Sequence, residues 1–325
     1  MLTIPYYRPN SKLLLKLSSS YNTRMTSDQY TNTEFQLAVG NGHELYVHDW
    51  GNQSSSMPIV QLHGGPGGSS KDRSKSQYDP ERQRVIFFDQ RGCGRSTPYG
   101  SLEHNTTAHL IDDINRVVDH LDIKKFVIRG GSWGSCLALA YTIEHPLRVN
   151  GLVLDGIFTG SQAEIDWLEL GQFRTFYPDA WQKYLAVTPN EHHNNPTAYH
   201  SAKLLKGNID SAWSYSSLQG AIVRLDDRFT PDSIDTFDPT SIVTEQHYMS
   251  QLCFMPDRHI LENASHINVP VVIVQGRYDM MCPPATAYEL HQALPNSTLH
   301  WTQNGHVGEH EAYNLIKFHL KQLTA

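Results

Sequence analysis

Ser132 lies in the run Gly130-Gly131-Ser132-Trp133-Gly134. A serine hydroxyl is a weak nucleophile until a neighbouring base takes its proton, and that base needs a third group to fix its tautomer. Upstream, Lys125-Phe126-Val127-Ile128 reads as a short buried strand, and downstream Ser135–Tyr141 reads as a helix of small and apolar residues. A G-x-S-x-G run at such a junction is a sharp turn that lifts the hydroxyl above the strand end. The adjoining helix N-terminus favours developing negative charge, and the glycines remove Cβ clashes from the turn. Taken alone, the pattern also fits a glycine-rich helix start carrying an ordinary serine.

The rest of the chain offers partners for that serine. One established chain order is the nucleophile, then an acid, then a histidine, each after a strand. Val274-Gln275-Gly276-Arg277-Tyr278-Asp279 puts Asp279 in a loop after an apolar strand, and Gly305-His306 puts His306 after the last strand. Singly, Asp279 reads as a turn residue and His306 as a surface histidine; together, in order at three strand ends, they make coincidence a poor explanation. Two N–H donors must face the tetrahedral oxygen. One is expected from the Trp133 backbone and the other from the His63–Gly68 loop, at Gly65 or its neighbour Gly64. His63 reads as a support for that loop. A competing motif, His306-Val307-Gly308-Glu309-His310, matches the H-x-x-E-H pattern of zinc peptidases. It needs both histidines on one helical face, and Gly305 and Gly308 weaken a helix there.

These residues need strands and helices to position them. Glu44–Trp50, Ile59–Leu62, Arg84–Phe88, Lys125–Ile128, Leu152–Leu154, Val271–Val274 and Ser297–Trp301 read as strands. Ile111, Ile114, Val117, Val118 and Leu121 recur at helical spacing between two of them, and a terminal helix is expected from about Glu309. Alternating strands and helices indicate an α/β fold with a mostly parallel sheet, whose ligands sit at the carboxyl ends of the strands. The Gly64–Gly68, Gly92–Ser96 and Gly130–Gly134 loops should therefore converge on one edge. Between about Phe158 and His266 the apolar strand-like runs disappear and tryptophan and tyrosine become frequent, which suggests helices lying over that edge.

Composition narrows the function classes. The 325-residue chain is 39% hydrophobic and 18% charged, with a formal charge of -7. It has no basic stripe for nucleic acid and no apolar run long enough to cross a bilayer. The cysteines Cys93, Cys136, Cys253 and Cys282 are scattered without a C-x-x-C pair, which points to reduced thiols and a cytoplasmic setting. Residues 1–27 carry Arg8, Lys12, Lys16 and Arg24 before any acid. They fit a targeting segment, a disordered tail, or a start misassigned upstream of Met25.

Four motifs together resemble the proline iminopeptidases, α/β-hydrolases that remove N-terminal proline: His63-Gly64-Gly65-Pro66-Gly67-Gly68, Asp89-Gln90-Arg91-Gly92-Cys93-Gly94-Arg95-Ser96, Gly130–Ser135 and Gln275–Asp279. The similarity runs from about Phe35 to the C-terminus. It implies an α/β-hydrolase core over 28–156 and 268–325, with a helical cap over 157–267 inserted after the sixth strand. It also implies catalysis by Ser132, Asp279 and His306 without metal or other cofactor, on peptides with N-terminal proline. Glu245, in Glu245-Gln246-His247-Tyr248, resembles the family's amine-binding glutamate, and Phe158 the aromatic that packs on the proline ring. Two positions depart from the pattern. Gln219 stands where a second amine-binding glutamate is expected, and Asp155, in Leu154-Asp155-Gly156-Ile157-Phe158, replaces an arginine. A compensated change, in which Asp155 restores the acid lost at Gln219, would keep the amine pocket anionic. An esterase or amidase with another acyl pocket, or a hydrolase-like binding protein, are the other readings.

Overall fold

Strands of this chain alternate between two apolar faces, and that alternation organises the molecule. In the computed structural model, which describes residues 30–225, 233–308 and 310–325, eight strands form one sheet in the order β1-β2-β4-β3-β5-β6-β7-β8. They are β1 (Tyr30–Gly40), β2 (His43–Asn52), β3 (Ile59–Leu62), β4 (Arg84–Phe88), β5 (Phe126–Gly131), β6 (Val149–Asp155), β7 (Val271–Gly276) and β8 (Ser297–Thr302). The pairs β1/β2 and β2/β4 are antiparallel and the others parallel. Val60, Ile86, Ile128, Leu152, Leu154 and Ile273 point into the larger core. Their neighbours Ile59, Val85, Val127, Val153 and Val272 enter the core on the other face. A strand covered on both faces reads as an unbroken apolar run, which is why these strands were conspicuous.

Strand β1 was not among the expected strands. Its burial alternates weakly, with Phe35 and Leu37 only half-buried, because it pairs along one edge only, with β2. Helices α1 (Thr107–His120) and α2 (Trp133–Glu144) pack on the larger core, where Ile111, Ile114, Val117 and Val118 form the buried stripe of α1. Among the described residues, six α-helices lie between β6 and β7: α3 (Gln162–Glu169), α4 (Pro178–Ala186), α5 (Pro196–Leu204), α6 (Ile209–Ile222), α7 (Thr240–Met249) and α8 (His259–Asn263). Most of them share a third core built on Phe173, Trp181, Tyr184, Tyr215 and Leu218. Helix α9 (Pro284–Ala293) follows β7, and α10 (His310–Leu323) closes the second core with Ile316 and Leu320. The expected helix start at Glu309 and the tail over 1–27 lie outside the described residues. Among the described residues no helix is long and apolar enough to cross a membrane.

One ion pair anchors the loop after β4 inside the protein. Arg91 is 2% exposed and donates to Asp113 of α1 at 2.7 and 2.5 Å, and to the His104 carbonyl at 2.5 Å. Removing one partner of a buried pair strands the other charge in a low-dielectric interior. Asp113→Ala should lower unfolding stability by about 3–5 kcal/mol, read from urea denaturation; a loss under about 1 kcal/mol would mean the pair contributes little to holding this loop.

Candidate active site

The loops after β3, β4 and β5 converge at one end of the sheet, where side chains tie them together. The Gln90 backbone N–H donates to His63 Nε2 at 2.9 Å, and the Gln90 amide donates back to the His63 carbonyl at 2.9 Å. Gln90 Oε1 accepts from the Trp133 indole N–H at 2.9 Å. His63 Nδ1 donates to the Gly64 carbonyl at 2.9 Å, and burial keeps this imidazole below its ordinary pKa, hence neutral. It supports the loop, as its place in the sequence suggested. Asp89, fully buried, accepts from the Ser70 N–H at 2.7 Å, the Ser70 hydroxyl at 2.5 Å and the Arg95 N–H at 3.0 Å.

Ser132 sits at the turn from β5 into α2 with φ 56° and ψ -131°. A side-chain-bearing residue in such a region costs on the order of 1–3 kcal/mol, and surrounding contacts must hold it there. Its N–H donates to the Asp155 carbonyl at 3.0 Å, and its carbonyl accepts from Ser135 N–H at 2.8 Å and the Ser135 hydroxyl at 2.7 Å. A Cβ on Gly130 would lie 2.3 Å from the Gly134 carbonyl oxygen, so strand and helix approach this closely only with glycine there. Trp133 opens α2, and its N–H is one of the first-turn donors that no intrahelical carbonyl serves.

His306 and Asp279 come together from the loops after β8 and β7. His306 Nδ1 lies 2.9 and 3.1 Å from the two Asp279 carboxylate oxygens. Asp279, 1% exposed, is oriented by the N–H groups of Met281 and Cys282 at 2.9 and 2.8 Å and by the Gln275 amide at 3.2 Å. With Nδ1–H donated to the carboxylate, Nε2 is the ring nitrogen left to accept. His306 and Ser132 line one hollow and stand beside each other across Gly156. A Cβ built on Gly156 would lie 3.1 Å from His306 Cε1 and 3.6 Å from the Ser132 nitrogen. Burial alone would lower the His306 pKa, but the Asp279 charge and the adjacent Cys282 outweigh it and raise it well above 6.5.

Two spaces meet at Ser132. The first is walled by Gly65, Phe158, Leu168, Glu169, Tyr215 and Glu245 among others. The second is bordered by Gly64, Arg129, Asp155 and His306 among others. Phe158, Glu245 and Gly65 thus share a cavity with the serine. Gln219 reaches Glu245 and donates a short hydrogen bond to its Oε1. Asp155 does not join them. It ends β6 opposite Gly131, where its side chain turns into the second space and pairs with Arg129 at 2.8 Å. The expected compensation by Asp155 in the amine pocket is therefore corrected: its charge is spent on Arg129, on the other side of the serine.

Helix α7 brings Glu245 to the cavity. Its first turn lies on the His63–Gly68 loop so tightly that a Cβ on Gly67 would fall 2.5 Å from the Ser241 carbonyl oxygen. Further along, Tyr248 donates to Asn105 Oδ1 at 2.7 Å and its ring meets that of Trp133 at 4.8 Å between centroids. Burial pushes the Glu245 carboxyl up to about 7, with the nearby Glu169 acting in the same direction. Neither Glu169 nor Tyr215 was marked by a motif. Glu169 looks like a solvated helix residue, yet it follows Leu168 on the face of α3 that also carries the buried Glu164 and Ile165.

The zinc motif is not assembled as a helical pair. His306 lies in the loop before α10, whereas His310 is that helix's first residue and is exposed. Among the described residues, Asp279, Cys282 and His306 have ligand atoms within 4.8 Å of one another, close enough to share an ion. The His306–Asp279 hydrogen bonds use the same atoms.

The chain is similar to known proteins over most of its length. A family model described as alpha/beta hydrolase fold matches residues 57–311. The proline iminopeptidase of Arabidopsis thaliana is 39% identical over 81% of this chain and 72% of its own, and that of Neisseria gonorrhoeae is 38% identical over 83% and 89%. The crystal structure of proline iminopeptidase from Mycobacterium smegmatis superposes with a TM-score of 0.65 at 19% identity, covering 90% of this chain and 99% of that one. The chain belongs to the α/β-hydrolase fold family and, within it, to the proline iminopeptidases.

The charge environment of His306 is directly measurable. A carboxylate partner favours imidazolium, so an NMR titration should place this pKa well above 6.5 in the parent protein. In Asp279→Asn, loss of that charge should lower it. A His306 pKa near 6.5 in both proteins would contradict the pairing.

Proposed function

We propose that the protein is a serine exopeptidase that releases N-terminal proline from short peptides through an acyl-enzyme, with residues 157–267 as the cap that forms the proline pocket. Ser132 Oγ attacks the prolyl carbonyl carbon as His306 Nε2 takes its proton, while Asp279 holds the Nδ1–H side of the ring. The N–H groups of Trp133 and Gly65 stabilise the tetrahedral oxygen, Gly64 shaping the loop beside them. Imidazolium then protonates the leaving amine nitrogen as the C–N bond breaks. Water, deprotonated by the same imidazole, attacks the ester and frees proline and the Ser132 hydroxyl.

The observation that carries the substrate assignment is the cavity beside Ser132, largely apolar and holding the buried Glu245 carboxyl. A carboxylate in such a place is costly unless a cation meets it, and the protonated imino nitrogen of N-terminal proline is one. Phe158 supplies an apolar face for the ring, and Gln219 fixes one oxygen of Glu245. The relatives named proline iminopeptidase support the same substrate. The four cysteines are buried free thiols, which supports a reducing, cytoplasmic setting.

Hydrolysis of prolyl 4-nitroanilide beside its N-acetylated form and a simple ester tests this reading, with Ser132→Ala as control. The free-amine substrate should be cleaved at least about 100-fold faster than the blocked one, and Glu245→Gln should raise its KM by roughly 10- to 100-fold. Equal rates on the free and blocked substrates would remove the amine-reading role, and a preferred ester would point to an esterase.

A further inference from the structure

The cavity beside Ser132 contains a second carboxylate that no motif marks. Glu164 and Leu168, and Ile165 and Glu169, are four positions apart and so neighbours on the helix surface, and all four line this space from α3. Glu164 is already occupied. It is the Glu of an S-x-x-E capping box and accepts from the N–H and hydroxyl groups of both Thr159 and Ser161. Glu169 has no such set of donors. Burial, reinforced by Asp166, pushes its carboxyl up to about 7, and its charge in turn raises the pKa of Glu245.

The wall between these acids contains polar groups without well-formed bonds. Tyr215 of α6 is fully buried and borders the cavity, and its hydroxyl has no such partner. Besides burial, the Glu245 and Glu169 charges both raise its pKa, and its nearest polar neighbours are Glu245 and Gln219. The side-chain amide of Gln246, also fully buried, lies by the Glu169 carboxyl without a well-formed bond. Buried polar atoms left this way are costly, and a polar ligand group in the cavity would relieve Tyr215, which borders it.

We propose that Glu169 is the second carboxylate of the amine site and that it and Glu245 each accept one of the two N–H bonds of a protonated N-terminal proline. This rests on the exopeptidase reading above. A secondary ammonium has two hydrogens to donate, and Gln219, which donates to Glu245, cannot supply the second negative charge. The second acid thus comes from α3, on a different element from the position where the motif leads one to look. The titratable groups whose charges couple to the pair are Asp166 on α3, Tyr184 on α4, Tyr215 on α6, and His306. Two facing carboxyls resist ionising together until a cation binds. KM for a prolyl substrate should therefore fall as pH rises through about 7, as the pair ionises.

The test uses the full chain and its Glu169→Gln and Glu169→Asp variants, with prolyl 4-nitroanilide and cyclopentanecarbonyl 4-nitroanilide, a carbocyclic analogue without the nitrogen. Glu169→Gln should raise KM for the prolyl substrate about tenfold or more, with kcat within about threefold, and should flatten the fall of KM around pH 7. Glu169→Asp should recover part of the affinity. The parent's preference for the prolyl anilide over the carbocyclic analogue should shrink about tenfold in Glu169→Gln. A KM and pH profile unchanged in Glu169→Gln, alongside a raised KM in Glu245→Gln, would overturn this inference and leave the exopeptidase reading intact. Equal hydrolysis of the two anilides by the parent protein would overturn that reading and this inference with it.

Discussion

The bond from His306 Nδ1 to Asp279 depends on two loops that the chain reaches only after its helical insertion. It forms because β7 and β8 are parallel neighbours in register, from Val271 opposite Ser297 to Gly276 opposite Thr302. Both strands therefore deliver their following loops to the same edge of the sheet. Asp279 is fixed first, by two backbone N–H groups and Gln275, and the imidazole then has one orientation that satisfies it. The elbow at Ser132 is fixed separately, by the crowding of β5 against α2 and by the ties through Gln90. Two rigid constructions thus face each other across Gly156, and the chemistry proposed here belongs to the junction between them.

The helical insertion borders that junction with Leu168, Glu169, Tyr215 and Glu245, and it is coupled to the core at a few defined points. Tyr248 and His247 bond to Asn105, and the first turn of α7 lies on the loop carrying Gly65. A shift of α7 would therefore move Glu245 and disturb the expected oxyanion donor together. In this reading, substrate recognition and transition-state stabilisation share one mechanical support, and misplacing reacting groups even by about an ångström is costly.

Much of this was legible in the sequence, for physical reasons that differ between elements. The doubly covered strands are uninterrupted apolar runs, and the loops at their ends carry glycines because backbones there pass within contact distance of each other. The candidate trio Ser132, Asp279 and His306 could be read from order alone, since each follows a recognisable strand. Strand β1, paired along one edge only, carried a weaker alternation and was missed. The place of Asp155 is not legible because its partner, Arg129, lies on a neighbouring strand far away in the chain and draws the carboxylate to the other side of the serine. Glu169 gave no signal because an acid on a short helix normally faces water, and only the packing of α3 over the serine shows otherwise.

The most direct test of the central claim is the position of the activated hydroxyl. Treatment with a fluorophosphonate, followed by peptide mass spectrometry, should place a single phosphonyl adduct on Ser132, and His306→Ala should lose it while remaining folded. An adduct on another residue, or labelling of Ser132 that persists undiminished without the imidazole, would contradict the account.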